Sequence, residues 1–283
     1  MSLGKLSYIT QSEDKMKKIG FIGCGKMASA IIKGLINTGF SASSLIKATQ
    51  IDENGLIEKS KELNIEIILD NKTLVKENNI IFLAVKPNQI LSVLEEIKPF
   101  VTPEKLIVSI AAGVSTKKIE GILPDKARVI RVMPNTPALV GEGMSGIFGG
   151  QFATKEDVEY ISSMLSAIGK SIVLDDESQM DIVTAISGSG PAFFYKVIND
   201  IALAGEKLGL DYEKSLLLSI QTAIGSAKMA LNRSISMEEL ISNVATKGGC
   251  TRVGVDVMEE LNSSKLFAEV IAKTTRKASE LGK

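Results

Sequence analysis

The chain has 283 residues, 45% of them hydrophobic, with 7 prolines and 33 residues of each charge sign, so it can bury a core and does not read as disordered. Zero net charge leaves no basic excess for nucleic acid, and no apolar run reaches the ~20 residues of a membrane span. The absence of histidine removes Ser-His and Cys-His nucleophiles and the usual zinc sites, so no metal is expected and acid–base work falls to Lys, Tyr, carboxylates or hydroxyls.

Residues 1–15 carry no signal-peptide segment, and Met16-Lys17-Lys18 reads as a start just before a strand, so 1–15 are set aside as an extension. Lys18 to Ile22 is a buried-type strand running into Gly23, and residues 26–38 place Met27, Ile31 and Leu35 on one helical face. Further strands are expected at Leu45–Ala48, Ile80–Ala84, Leu106–Ile110 and Val129–Val132, with helices near 55–63, 88–97 and 115–122 between them. Gly, Pro and Asn cluster from Pro134 to Gly150, which predicts repeated turns. A helix over 154–168 and a strand Ser171–Leu174 close the sheet.

From about Asp181 the chain reads as helices alone. Residues 213–231 put Leu216, Ile220, Ala223 and Ala227 on one face and Leu217, Ile224 and Leu231 on another, so this helix needs cover on both sides. The fold class is therefore α/β: a Rossmann-type doubly wound sheet over 16–180, then an all-helical domain over 181–283. Two cysteines, Cys24 and Cys250, make no disulfide framework and suit a reducing cytosol, so a cytoplasmic location is expected.

Gly23-Cys24-Gly25-Lys26-Met27-Ala28 fits G-x-G-x-x-A at the first strand-to-helix turn. The first glycine permits the turn, the second lets backbone approach a pyrophosphate, and the small third residue lets helix and strand pack. The next strand ends Lys47-Ala48-Thr49-Gln50 without the acid that usually holds the ribose hydroxyl of NAD, which tilts the expectation to NADPH ahead of NADH. No Arg stands there either, and Asp52 is two residues on.

Ala84-Val85-Lys86-Pro87 and Ser109-Ile110-Ala111-Ala112-Gly113 follow later strands, at the sheet edge where ligands of such folds bind. Small residues there are equally common in any doubly wound sheet. Ser187-Gly188-Ser189-Gly190-Pro191 is not a nucleophile elbow, since no histidine can activate a serine. Pro191 reads instead as a first-turn helix residue, with Ser189 or Gly190 at the cap. Thr246-Lys247-Gly248-Gly249-Cys250-Thr251 opens another helix, either as an anion nest for a carboxylate or as a plain interhelical turn.

Together these strings resemble the pyrroline-5-carboxylate reductase family from about Met16 to near the C-terminus. The most specific pair is Ala185 to Ala192 and Gly248 to Thr251. Phe82 to Pro87, Ala111 to Gly113 and Arg131-Val132-Met133-Pro134-Asn135-Thr136-Pro137 also match, in order. The resemblance implies reduction of the imine of 1-pyrroline-5-carboxylate to L-proline, the last step of proline biosynthesis, with hydride from NADPH. It implies that Ile22, Gly23, Cys24, Gly25, Lys26, Met27 and Ala28 hold the pyrophosphate and that Thr49 and Gln50 meet the adenosine ribose. Asn71, Ala84, Val85, Lys86, Pro87, Ala111, Ala112 and Gly113 would line the rest of the dinucleotide. Glu177, Asn243, Gly248, Gly249, Cys250 and Thr251 would face substrate or nicotinamide, with the Thr251 hydroxyl at the imino nitrogen as the catalytic group. Lys247 departs from the proline usual before the glycine pair, and Cys250 from a Thr or Ala. Family members are typically homodimers through the helical domain, often assembled as decamers of five dimers.

Two other classes fit parts of the chain. A β-hydroxyacid dehydrogenase pairs a Lys with an Asn three residues on, as in Lys196-Val197-Ile198-Asn199. Lys196 lies six residues past Gly190 where about four are expected, and two extra residues turn a side chain ~200° round a helix. A non-catalytic dinucleotide sensor is the other.

Overall fold

The computed structural model describes residues 17–50, 56–231 and 234–281; the expected extension and Asp52 lie outside the described residues. The chain divides into two compact units, one running to Gly188 and including the stretch from Thr275, the other Ser189–Thr274. Among the described residues no helix is long and apolar enough to cross a membrane.

The first unit is built on eight strands. In chain order it carries β1 (Ile19–Ile22), α1 (Lys26–Asn37), β2 (Ile46–Thr49), α2 (Leu56–Leu63), β3 (Glu66–Ile68), α3 (Asn71–Glu77), β4 (Ile80–Leu83), α4 (Ile90–Ile97), β5 (Leu106–Ser109), α5 (Thr116–Glu120) and β6 (Arg128–Met133). Then come β7 (Gly143–Gly149), α6 (Lys155–Leu165), β8 (Gly169–Val173) and α7 (Met180–Val183). The sheet order is β3-β2-β1-β4-β5-β6-β7-β8, parallel throughout except where β7 runs against β6. Its first six strands have the doubly wound order, with the switch point at β1.

Helices on both faces explain the unbroken apolar runs of β1, β4 and β5, in which every residue is buried. Alternate residues serve opposite faces. Ile19, Phe21, Phe82 and Val108 join the cluster under α1 and α6, while Ile22, Ile81, Leu83 and Ile107 join the one under α3 and α4. Phe21 and Phe82, paired across β1 and β4, stack with ring centroids 4.6 Å apart.

Three elements were not expected. β3 and the short α3 are too brief for periodicity to reveal. β7 lies inside the stretch read as turns because of its glycines. There glycine serves close packing: a Cβ on Gly143 would stand 2.7 Å from the Ile168 carbonyl oxygen, and one on Gly146 2.8 Å from Val183. The first unit also extends past the expected boundary near residue 180. Met180 is fully buried and Val183 fills the space beside Gly146, so α7 stays with the sheet.

The second unit holds α8 (Gly190–Lys207), α9 (Tyr212–Leu231), α10 (Met237–Val244), α11 (Cys250–Glu260) and most of α12 (Ser263–Leu281). α8 and α9 pack closely where Gly205 meets Ser215, whose hydroxyl would lie 2.6 Å from a Cβ on that glycine. Much of the apolar surface of α9 stays uncovered within one chain, including Leu217 and Leu231.

Candidate functional site

β1 delivers the chain to Gly23, whose φ of +94° belongs to the region that favours glycine, and whose added Cβ would lie 2.8 Å from the Ala84 carbonyl oxygen. Gly25 is the N-cap of α1, no side chain caps that helix, and nothing stands within 4 Å of where its Cβ would be. First-turn amides and an open approach make a fitting cradle for a pyrophosphate. Ala28 is buried and completes the close contact of helix and strand. Cys24 is half-buried, and burial pushes its thiol pKa up against the opposing pulls of Lys59 and a hydrogen bond with Ser29. Ile22 is buried, Met27 packs partly on the core, and Lys26 is exposed.

Thr49 ends β2 beside this loop. The Gly23 N–H donates to its Oγ1 at 3.3 Å, and the hydroxyl donates to Asn71 Oδ1 at 2.7 Å. The Asn71 side-chain amide in turn donates to Glu96 Oε2 at 2.9 Å. Gln50 follows the strand, its backbone N–H bound to the Ile68 carbonyl. Ala84 and Ala111 extend β4 and β5 at the same end of the sheet: Ala84 N–H donates to the Ile22 carbonyl, and Ala111 N–H to Ser109 Oγ at 3.4 Å. Lys86 and Pro87 turn into a short 3-10 segment, with Gln89 accepting from the Lys86 N–H. The expected dinucleotide segments thus share one edge, around the switch point. Val85 lies against Gly23, and Ala112 and Gly113 continue the turn after β5.

Glu177 is held within the first unit. Its carboxylate accepts from the Thr116 N–H at 2.8 Å, the Thr116 hydroxyl at 2.7 Å and Arg131 Nη1 at 3.0 Å. Arg131 is buried in β6, its other nitrogen 3.8 Å from Asp181 and without a hydrogen bond. These contacts tie β6 to the start of α5, just beyond the Ala111–Gly113 turn. Asn135 links two of the resembling segments. Its amide donates to the Ser187 carbonyl at 3.1 Å, and its Oδ1 accepts from the Met144 N–H at 2.9 Å. Ser187 lies in a π-helical turn, Thr184–Gly188, a local widening frequent at functional sites. Arg131, Thr116, Asn135 and Glu96 received no role from sequence. An arginine amid the apolar β6 run was a usable signal for a buried ion pair; Glu96 offered none.

In the second unit Gly248 has φ +78°, and Gly249 is the N-cap of α11, its N–H donating to the Thr246 carbonyl at 3.0 Å. No side chain caps this helix either. Cys250 is exposed and Thr251 half-buried in its first turn, while Asn243 is exposed on α10. Ser189 occupies the N-cap position of α8 with Pro191 in the first turn, as expected, although the Ser189 hydroxyl makes no capping bond and its backbone is already helical. Lys196 is 73% exposed and pairs with Asp200 one turn on, its Nζ 2.7 Å from Oδ2, while Asn199 accepts from the Tyr212 hydroxyl.

The "pyrroline-5-carboxylate reductase dimerisation" family matches residues 177–281, and the "NADP oxidoreductase coenzyme F420-dependent" family matches 18–113. The structure of a pyrroline-5-carboxylate reductase from Coxiella burnetii superposes with a TM-score of 0.90 at 34% identity, covering 95% of this chain and 99% of that one. The Plasmodium falciparum pyrroline carboxylate reductase with NADP bound gives a TM-score of 0.84 at 31% identity, covering 95% and 99%. The pyrroline-5-carboxylate reductase of Methanosarcina acetivorans is 40% identical over 94% of this chain and 98% of its own length. With 40% identity to such a reductase along nearly the whole of both chains, this protein belongs to the pyrroline-5-carboxylate reductase family.

Proposed function

We propose that the chain reduces the imine of 1-pyrroline-5-carboxylate to L-proline, the last step of proline biosynthesis, with NADPH ahead of NADH. The observation that carries this reading is the uncapped α11 start behind Gly248 and Gly249, in a chain whose sheet offers a second such start to a dinucleotide. When bound, NADPH supplies the hydride. The amides at Gly25 to Met27 hold its pyrophosphate, Thr49 and Gln50 meet the adenosine ribose, and Asn71 with the turns Ala84–Pro87 and Ala111–Gly113 line the remainder. The relative from Plasmodium falciparum with NADP bound supports that choice of cofactor.

The amides of Gly249 to Thr251 hold the substrate carboxylate at the positive end of α11. Positioning supplies most of the acceleration. A protonated imine already accepts hydride well, so the Thr251 hydroxyl only has to orient the ring nitrogen and manage its proton. Asn243 on α10 completes the proposed substrate set of this unit.

We also read the protein as a cytoplasmic homodimer through the helical unit, with decamers of five dimers as the larger assembly implied by the family. Support comes from the dimerisation family match and from a cavity of about 390 Å³ bordered by Tyr195, Leu216, Ile220 and Ile224 on α8 and α9. Oxidation of NADPH followed at 340 nm with 1-pyrroline-5-carboxylate, beside 3-hydroxy acids with NAD⁺, tests the function. Turnover with the imine alone is expected; turnover with hydroxy acids alone would hand the chain to the β-hydroxyacid dehydrogenases.

A further inference from the structure

We infer that Glu96 is a positioning residue for the dinucleotide, acting through Asn71 and Thr49 on the first glycine amide of the pyrophosphate loop. The inference rests on the reading that the Gly23–Ala28 loop holds the cofactor. An ionised carboxylate can only accept hydrogen bonds. It therefore takes the Asn71 side-chain amide at 2.9 Å, which turns Asn71 Oδ1 towards Thr49. That oxygen also only accepts, so the Thr49 hydroxyl must donate to it at 2.7 Å. The Thr49 lone pairs are then left facing the Gly23 N–H, 3.3 Å away. Every link has one allowed direction, and the charge at Glu96 sets it.

The chain of bonds is also well anchored. Glu96 sits on α4, whose Ile90, Val93, Leu94 and Ile97 are buried in the core under the sheet, so its backbone is fixed. Asn71 opens α3, and Asp70 caps that helix by accepting from Lys72 and Thr73 N–H. Thr49 is 4% exposed, which leaves its hydroxyl little access to water. Without the carboxylate the Asn71 amide is free to flip. Thr49 would then accept from it, its hydroxyl hydrogen would turn away from Asn71, and the acceptor facing the Gly23 amide would no longer be fixed in direction. Gly23 is the residue whose positive φ turns the chain against Ala84, so slack there reaches the first-turn amides of α1. The pyrophosphate is common to NADPH and NADH, and both should feel the change alike.

The test titrates the full-length protein with NADPH and NADH by fluorescence, with melting temperature, KM and kcat measured alongside. Glu96→Ala should raise both Kd values by a common factor of about three to ten, with kcat at saturation and melting temperature held. Glu96→Gln, whose Oε1 can still accept from Asn71, should fall between. Should Glu96→Ala not fold, Glu96→Leu removes the acceptor while keeping the bulk of the side chain and should give the same common rise. Unchanged Kd values in Glu96→Ala, or a loss confined to NADPH, overturn the inference. Gly23→Ala separates the two readings. If it binds NADPH as wild type does, the loop reading falls and the inference with it; if it fails to bind while Glu96→Ala is normal, the inference alone falls.

Discussion

On the proposed function, Thr251 and Lys196 are the residues whose variants separate imine reduction from hydroxyacid oxidation. Loss of one hydrogen bond to a charged group in the transition state costs about 1.5–3 kcal/mol, roughly tenfold to a hundredfold in rate. Thr251→Ala should therefore lower kcat by about that factor with dinucleotide affinity intact, and Thr251→Ser should keep most activity. Lys196→Met should leave turnover within a few-fold, since its ammonium is solvated and paired with Asp200 on the helix exterior. The reverse ranking in steady-state kinetics would refute the assignment. At the tip of β2, Gln50→Asp sets a negative charge near the expected 2′-phosphate and should raise the KM for NADPH more than for NADH. Equal loss with both would show that Gln50 does not meet the ribose.

Elements meet in the Arg131–Glu177–Thr116 contact, where β6, the start of α5 and the turn before α7 are tied. Removing one partner of a buried ion pair leaves a charge without its partner and costs about 3–5 kcal/mol. Arg131→Met should destabilise the protein by about that amount in urea unfolding, and the double variant with Glu177→Gln should recover most of it. Recovery is expected because the Arg131–Glu177 pair is then removed whole, leaving only the more distant Asp181; a double variant as unstable as the single one would show that shape, not charge pairing, dominates. The same scale explains what was legible in sequence. Long or strongly apolar elements such as β1, β4, β5, α4 and α9 announced themselves by period. The antiparallel β7 did not, because its Gly143 and Gly146 answer to neighbours far along the chain, Ile168 and Val183.

At the scale of the whole molecule, the helical unit leaves large side chains such as Phe194, Leu217 and Leu218 more than half exposed in one chain. Exposed apolar area on this scale marks an interaction surface. The protein should sediment as a dimer or a larger multiple at micromolar concentration, and Ile220→Glu, at the edge of the α8–α9 cavity, should shift it to monomer. A wild-type monomer at that concentration would refute the dimer.

The sequence by itself determined the class of fold, the glycine turn at the start of α1, the second glycine-led helix start and the family resemblance. Those are local patterns, in which a turn, a cap or a repeat of apolar residues is written over a few adjacent positions. Tertiary structure alone decided the rest: that Gly23, Thr49, Asn71 and Glu96 form one directed line of hydrogen bonds, that Glu177 is gripped by Arg131 and Thr116, and that α7 belongs with the sheet. Each joins residues 20 or more positions apart, and a polar side chain's partner is chosen by which strands and helices the core packs side by side, information that no local run of residues carries.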